Sequence, residues 1–197
     1  LLMRTRHRRV VLFLGAGKIK LTGEIFLVSE HMDGGDLRNV ITKSKNKITG
    51  ESTMKWSHRY MIAYDIAEGM EFLHSRKLIH RDLKSANFLI DHRTNPRVCK
   101  VCDFGLSTYK EKFGKERSRV GTPLFAAPEV LRSDEYSESA DVYSFGVCCW
   151  EVVTTARPFE NMNTVKTGYV LKHELAQLCN ELIQWKRIDT IDANRSG

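Results

Sequence analysis

One segment constrains the fold more than any other. From Ser57 to about Ser75, Ile62, Ile66, Met70 and Leu73 recur at spacings of four, four and three. That interval lines one face of an α-helix. Ala63 and Ala67 widen the stripe, and Asp65, Glu68 and Glu71 are expected on the other faces. Such a helix needs a core to pack against. The segments before it are too short to be helices of the same kind. Arg8–Leu14 and Glu24–Val28 are strand-length runs rich in β-branched and aromatic residues. The glycine-punctuated stretch between them predicts a β-hairpin. Asp36 is placed to cap a short helix over Leu37–Thr42, and Lys43–Glu51 is polar enough for a surface loop. After Lys77, short apolar pieces (Leu78-Ile79, Phe88–Ile90, Val98–Cys102) alternate with charged, turn-rich ones. Asp103–Ser118 has no periodicity of its own, and loops that long are usually functional. Ser139–Thr155 predicts a buried helix carrying Val142, Phe145, Val147, Trp150 and Val152. Val165–Trp185 is helical in parts. The sum is a mixed α+β chain.

With 42% hydrophobic and 28% charged residues in 197, the chain can bury a core without staples. Its 13 Gly and 4 Pro are scattered, which excludes collagen-like and low-complexity classes. No apolar run approaches the ~20 residues that span a bilayer. The five cysteines are odd in number and irregular in spacing, so a reducing, cytoplasmic setting is expected. The net charge of +7 admits an anionic partner. No basic stripe with interleaved aromatics accompanies it, so nucleic acid is not expected. Gly15-Ala16-Gly17-Lys18 lacks the rest of a P-loop. Cys99 and Cys102 form a CxxC with no second pair at metal spacing.

The chemistry lies in an ordered set of short motifs. His80-Arg81-Asp82-Leu83-Lys84-Ser85-Ala86-Asn87 comes first, then Asp103-Phe104-Gly105, Ala127-Pro128-Glu129 and Asp141-Val142-Tyr143-Ser144-Phe145-Gly146. Each alone is weak; in this order the set is specific. The chain resembles a eukaryotic protein kinase, and most closely the tyrosine-kinase-like group of serine/threonine kinases. The resemblance runs to about Lys166. It implies a kinase-like α+β fold, mainly the helical C-lobe with a remnant β-hairpin of the N-lobe. Residues 1–31 would supply the end of helix C and the last N-lobe strands, and 32–197 the hinge and C-lobe.

The resemblance also implies roles. Phosphoryl transfer rests on positioning and charge neutralisation. Asn87 and Asp103 offer the hard oxygens that Mg²⁺ prefers. Asp82 would accept the substrate hydroxyl proton, Lys84 would sit near the transferring phosphate of ATP, and Arg81 would pair with a phosphorylated loop residue. Ser107, Thr108, Tyr109, Ser118 and Thr122 are the acceptors open to that modification. Lys84, and Thr122 before Ala127-Pro128-Glu129, point to serine/threonine rather than tyrosine as acceptor on a protein substrate; dual specificity stays open. Ser29 falls at the gatekeeper position. Glu30 and Met32 would offer backbone groups to adenine, Leu89 its floor, and Asp36 either a ribose contact or simply the helix cap. Leu2, Phe13, His80 and Phe104 fall where the family stacks its regulatory spine. Glu129 needs a late arginine, for which Arg195 is the candidate.

A kinase also needs a Gly-rich loop and a strand lysine paired with a helix-C glutamate. Neither precedes the hinge here, so about 45 residues of a kinase domain are expected to be absent. Other domains of a longer protein are expected too. Two readings follow: part of an active kinase, with these 197 residues alone inactive, or a non-catalytic, pseudokinase-like binding module. The retained Asp82, Lys84, Asn87 and Asp103 favour the first.

Overall fold

The computed structural model describes residues 6–94, 97–103, 108–109, 124–131 and 137–158. The chain divides into two compact units, Leu1–Ala156 and Arg157–Gly197. The elements below belong to the first.

Strands β1 (Phe13–Lys18) and β2 (Ile25–Ser29) pair antiparallel, with Gly17 opposite Phe26. The expected hairpin is present, but its first strand begins at Phe13 rather than Arg8. The run Arg8–Leu14 does two jobs. Val10 and Val11 are buried, and Val10 bridges Val101 in parallel. Only from Phe13 does the chain enter the hairpin. Gly17 leaves room for the Phe26 ring, which occupies the space that a side chain there would need.

Helix α1 (Leu37–Ser44) starts at Asp36, whose carboxylate accepts from the Asn39 amide at 2.9 Å. Helix α2 (Trp56–Ser75) is the long helix, with Ile66, Met70 and Leu73 buried as its spacing implies. Asp65 departs from expectation. It is buried, because it accepts the Cys99 amide at 2.8 Å and pairs with Arg9 at 2.9 Å. Short strands follow: β3 (Leu78–Ile79), β4 (Phe88–Asp91), β5 (Val98–Val101) and β6 (Thr108–Tyr109). Strand β3 pairs with β6 and β4 with β5, both antiparallel. Thus part of the long loop expected over Asp103–Ser118 is a strand.

Helix α3 (Pro128–Leu131) is one turn, and α4 (Glu138–Thr154) packs on α2. Val147 and Val152 are buried and Phe145 and Trp150 half-buried. Val142, expected inside, is 59% exposed. It sits on the face opposite the inward Asp141 and Ser144. The Ser144 hydroxyl donates to the Phe125 carbonyl at 2.7 Å, tying α4 to the segment that leads into α3.

The close approach of α2 to β5 depends on a glycine. A Cβ at Gly69 would lie 2.7 Å from the Arg9 carbonyl oxygen and 2.8 Å from Val101 Cγ2. The sheet therefore rests directly on the helix backbone. No helix among the described residues is long and apolar enough to cross a membrane. Cys99, Cys102, Cys148 and Cys149 form no disulfide. The helix expected within Val165–Trp185, together with Leu2, Phe104, Ser107, Ser118, Thr122 and Arg195, lies outside the described residues.

Candidate active site

The motif His80–Asn87 leaves the buried strand β3 and ends in a 3₁₀ turn, Ser85–Asn87, that opens β4. Its backbone is held from behind by α4. Asp141, 1% exposed, accepts the amides of His80 at 2.8 Å and Arg81 at 3.0 Å. The same carboxylate lies 2.9 Å from His74 Nε2 on α2. This grip matters because Arg81 has φ of 73°, a left-handed conformation that a residue with a side chain adopts only under constraint. The twist turns the chain between buried His80 and Asp82. The His80 ring is fixed at its far side by the Cys102 carbonyl, 2.9 Å from Nε2.

Asp82, Lys84 and Asn87 converge. Lys84 Nζ donates to Asp82 Oδ2 at 2.6 Å. Asn87 Nδ2 reaches the Asp82 carbonyl at 2.8 Å and Asp82 Oδ2 at 3.3 Å. Asp82 is 8% exposed and Lys84 25%, so the pair sits at the rim of the core where it can meet a reactant. Asn87 spends its amide nitrogen on Asp82, and its Oδ1 takes no hydrogen bond among the described residues.

Asp103 joins them through the backbone. The Cys102 amide donates to the Asn87 carbonyl at 2.9 Å, which sets Asp103 beside Asn87 at the end of β5. Asp103 is exposed and also left-handed, with φ of 61°. Burial pushes the Cys102 thiol up to about 12, helped by the Asp103 and Asp36 carboxylates and opposed by Lys84. It stays a neutral thiol beneath the site.

The neighbouring edge holds the residues expected at the nucleotide. Leu89, half-buried on β4, bridges Asp36 backbone to backbone. Both Asp36 carboxylate oxygens engage Asn39, so the cap is formed. Met32 is buried and Ser29 exposed at the end of β2. The Glu30 amide is spent on the Leu12 carbonyl at 2.9 Å. The Glu30 side chain accepts from Lys100 Nζ at 2.7 and 2.8 Å and from the Leu12 amide at 2.7 Å. Arg93 donates to the His31 carbonyl at 2.7 Å and, through Nε, to Asp91 at 2.9 Å. That guanidinium holds the Asp91 carboxyl well below the usual carboxylate range.

The family model for protein tyrosine and serine/threonine kinases matches residues 1–189. The chain belongs to the protein kinase family. Among similar proteins, the serine/threonine-protein kinase CTR1 of Arabidopsis thaliana is 40% identical over 166 residues, covering 83% of this chain and 19% of that protein. The serine/threonine-protein kinase STY46 of the same plant is 35% identical, covering 85% of this chain and 27% of its own length. The dual specificity protein kinase shkC of Dictyostelium discoideum is 35% identical over 93% of this chain and 36% of its own length. The kinase chain thus spans well under half of these relatives.

In this kinase domain the structure brings together Asp82, Lys84, Asn87 and Asp103, and places Asp36 against Leu89. Glu129 is half-buried on α3, and Arg81 is buried. Two supporting residues have no role in the sequence expectations. Asp141 stands within a quoted motif, and its signal is an acid in the first turn of a helix whose centre is apolar. Asp65 carries a weaker one: it directly precedes Ile66 of the core stripe.

Proposed function

We propose that this chain carries the catalytic centre of a protein serine/threonine kinase, which moves the γ-phosphate of ATP onto a protein hydroxyl. The observation that carries the reading is the convergence of Lys84 Nζ and Asn87 Nδ2 on one oxygen of Asp82, at 2.6 and 3.3 Å. Asp82 accepts the proton of the attacking hydroxyl, and Lys84 holds positive charge beside it as negative charge shifts. The site's donor set fits Mg²⁺. Among the described residues no cluster of three or more His, Cys, Asp or Glu side chains could enclose a metal. Asn87 Oδ1 and the exposed Asp103 carboxylate offer two hard oxygens, and Mg²⁺ is usually held by few side chains together with substrate phosphates and water. Bound there, Mg²⁺ would neutralise phosphate charge.

The Glu30 carbonyl and Met32 backbone meet adenine, Ser29 and Leu89 bound its pocket, and Asp36 meets ribose. Arg81 answers a phosphorylated loop residue such as Ser118, and Thr122 and Glu129 shape the substrate side. The limited share of each relative that the chain spans supports further domains in the full protein.

The test is a thermal-shift titration with Mg²⁺-ATP, comparing the parent chain with Asp103→Asn. The parent is expected to be stabilised and the variant not. Equal shifts in both would remove Asp103 from the metal site. In the full protein, Asp82→Asn is expected to lose transfer to serine and threonine by ~10²-fold or more.

A further inference from the structure

A cavity of about 480 Å³ lies away from the residues assigned above, between the end of α1, the segment entering α2, and the connection from β4 to β5. Its size falls in the range of ligand-binding clefts. Met54, Met61, Ile62, Ile90 and Val98 give it an apolar lining. Met61, Ile62 and Val98 are only half-buried, so they have surface left to cover. Two methionines make such a lining adaptable. The hydroxyls in the wall are partly spent: Ser44 donates to the Ile41 carbonyl at 2.7 Å and Thr53 to the Ser44 carbonyl at 2.9 Å.

The charge around the cavity has one sign. Lys55 and His58 stand on the wall that enters α2, and His92 and Arg97 on the β4–β5 side. All four are exposed. None forms an ion pair among the described residues, and no lining residue is acidic. Fixed cations at two places in the lining, Lys55 beside α2 and Arg97 before β5, together with the apolar side chains suit a chain segment whose carboxylates flank an aliphatic residue. A membrane surface would instead need its cations on one convex face.

We infer that this cavity is a docking groove for an extended acidic segment of a protein partner, with an aliphatic side chain over Met61 and Ile62 and carboxylates at Lys55 and Arg97. The groove shares no residue with the proposed transfer site, so its occupancy needs neither ATP nor metal. Attraction at its rim weakens as salt rises.

The experiment is a fluorescence anisotropy titration of the chain, without nucleotide. The probe is a short fluorescein-labelled peptide with leucines flanked on both sides by glutamates; the control replaces each glutamate by lysine. Saturable binding of the acidic peptide alone is expected. The exposed charge reversals Lys55→Glu and Arg97→Glu together should weaken it by roughly tenfold. Ile62→Gln, which keeps the charge, should weaken it as well. Equal binding of the lysine peptide, or acidic-peptide affinity unchanged by the charge reversals, would overturn the inference. So would co-sedimentation with phosphatidylserine vesicles that those same reversals abolish. The Mg²⁺-ATP shift of each variant stays at the parent value, which separates failure of the groove from failure of the kinase reading.

Discussion

Asp141 is the residue whose removal should reveal most about how the site is held. Its buried carboxylate accepts two main-chain amides, from His80 and Arg81, and faces His74. Replacing it by alanine leaves both amides buried without that acceptor, at about 1–3 kcal/mol each. The segment can partly relax by letting Arg81 leave its φ of 73°. Relief of that left-handed strain returns about 1–3 kcal/mol. Taking the middle of each range, about 4 kcal/mol is lost and about 2 returned, so the net cost is about 2 kcal/mol, a sizeable share of the ~5–15 kcal/mol that stabilises a typical domain. Relaxation has a second consequence: it moves Asp82, the next residue. Asp141→Asn keeps the volume and one acceptor oxygen, so about half the loss is expected. Urea unfolding followed by tryptophan fluorescence gives the midpoints, and an unchanged slope licenses their comparison. Should Asp141→Ala unfold within about 0.5 kcal/mol of the parent, the range of an ordinary surface change, the reasoning fails.

Gly69→Ala should lower the melting temperature. Alanine gains up to ~1 kcal/mol in helix propensity, but its Cβ meets a backbone oxygen that cannot swing aside, and overpacking costs about 1–3 kcal/mol. A raised melting temperature in a thermal scan would contradict that contact. Cys102 gives the pH dependence. Its thiol is raised from 9.0 to about 12, so between those values the unfolded chain loses a proton that the folded chain keeps. The thiol's contribution is thus complete below pH 9 and lost as pH rises toward 12. Urea midpoints of the parent should fall more steeply over that window than those of Cys102→Ser; parallel curves would rule the effect out.

Much of the fold was legible because it rests on periodicity and caps. The stripe from Ile66 to Leu73, the Asp36 cap and the apolar centre of α4 stand where spacing puts them. The first strand was displaced because apolar content cannot tell a hairpin strand from a segment laid beside another strand. Val10 is buried against β5 while Phe13 enters the hairpin, and both sit in one run. Asp65 was misplaced for a related reason. Polarity predicts an outward face, yet a carboxylate is stable inside when donors surround it. Burial still pushes its carboxyl up, with the Cys99 amide and Arg9 acting against that. The residues of the candidate site were legible as types and order. Their convergence was not, because Asn87 returns to Asp82 only through the short 3₁₀ turn Ser85–Asn87, which no periodicity announces.

The two buried aspartates solve one problem. A two-stranded ladder satisfies alternate amides of each strand and leaves the others facing outward. In the interior those must find acceptors. On β5 the Val101 amide is taken by the Arg9 carbonyl, and the Cys99 amide by Asp65 from α2. After β3 the His80 and Arg81 amides are taken by Asp141 from α4. Helix side chains thus take the place of a further strand at both points. One carboxylate steadies the strand that delivers Asp103, the other the turn that delivers Asp82. A carboxylate reaching from a helix fixes amides without imposing extended backbone, so Arg81 keeps its left-handed turn while its amide is held, and the chain turns again at Asp103 where β5 ends. A third strand would continue the ladder and hold those residues extended. The arrangement therefore lets rigid short strands end in sharply turned residues, which is what brings the Asp82 and Asp103 carboxylates to one edge.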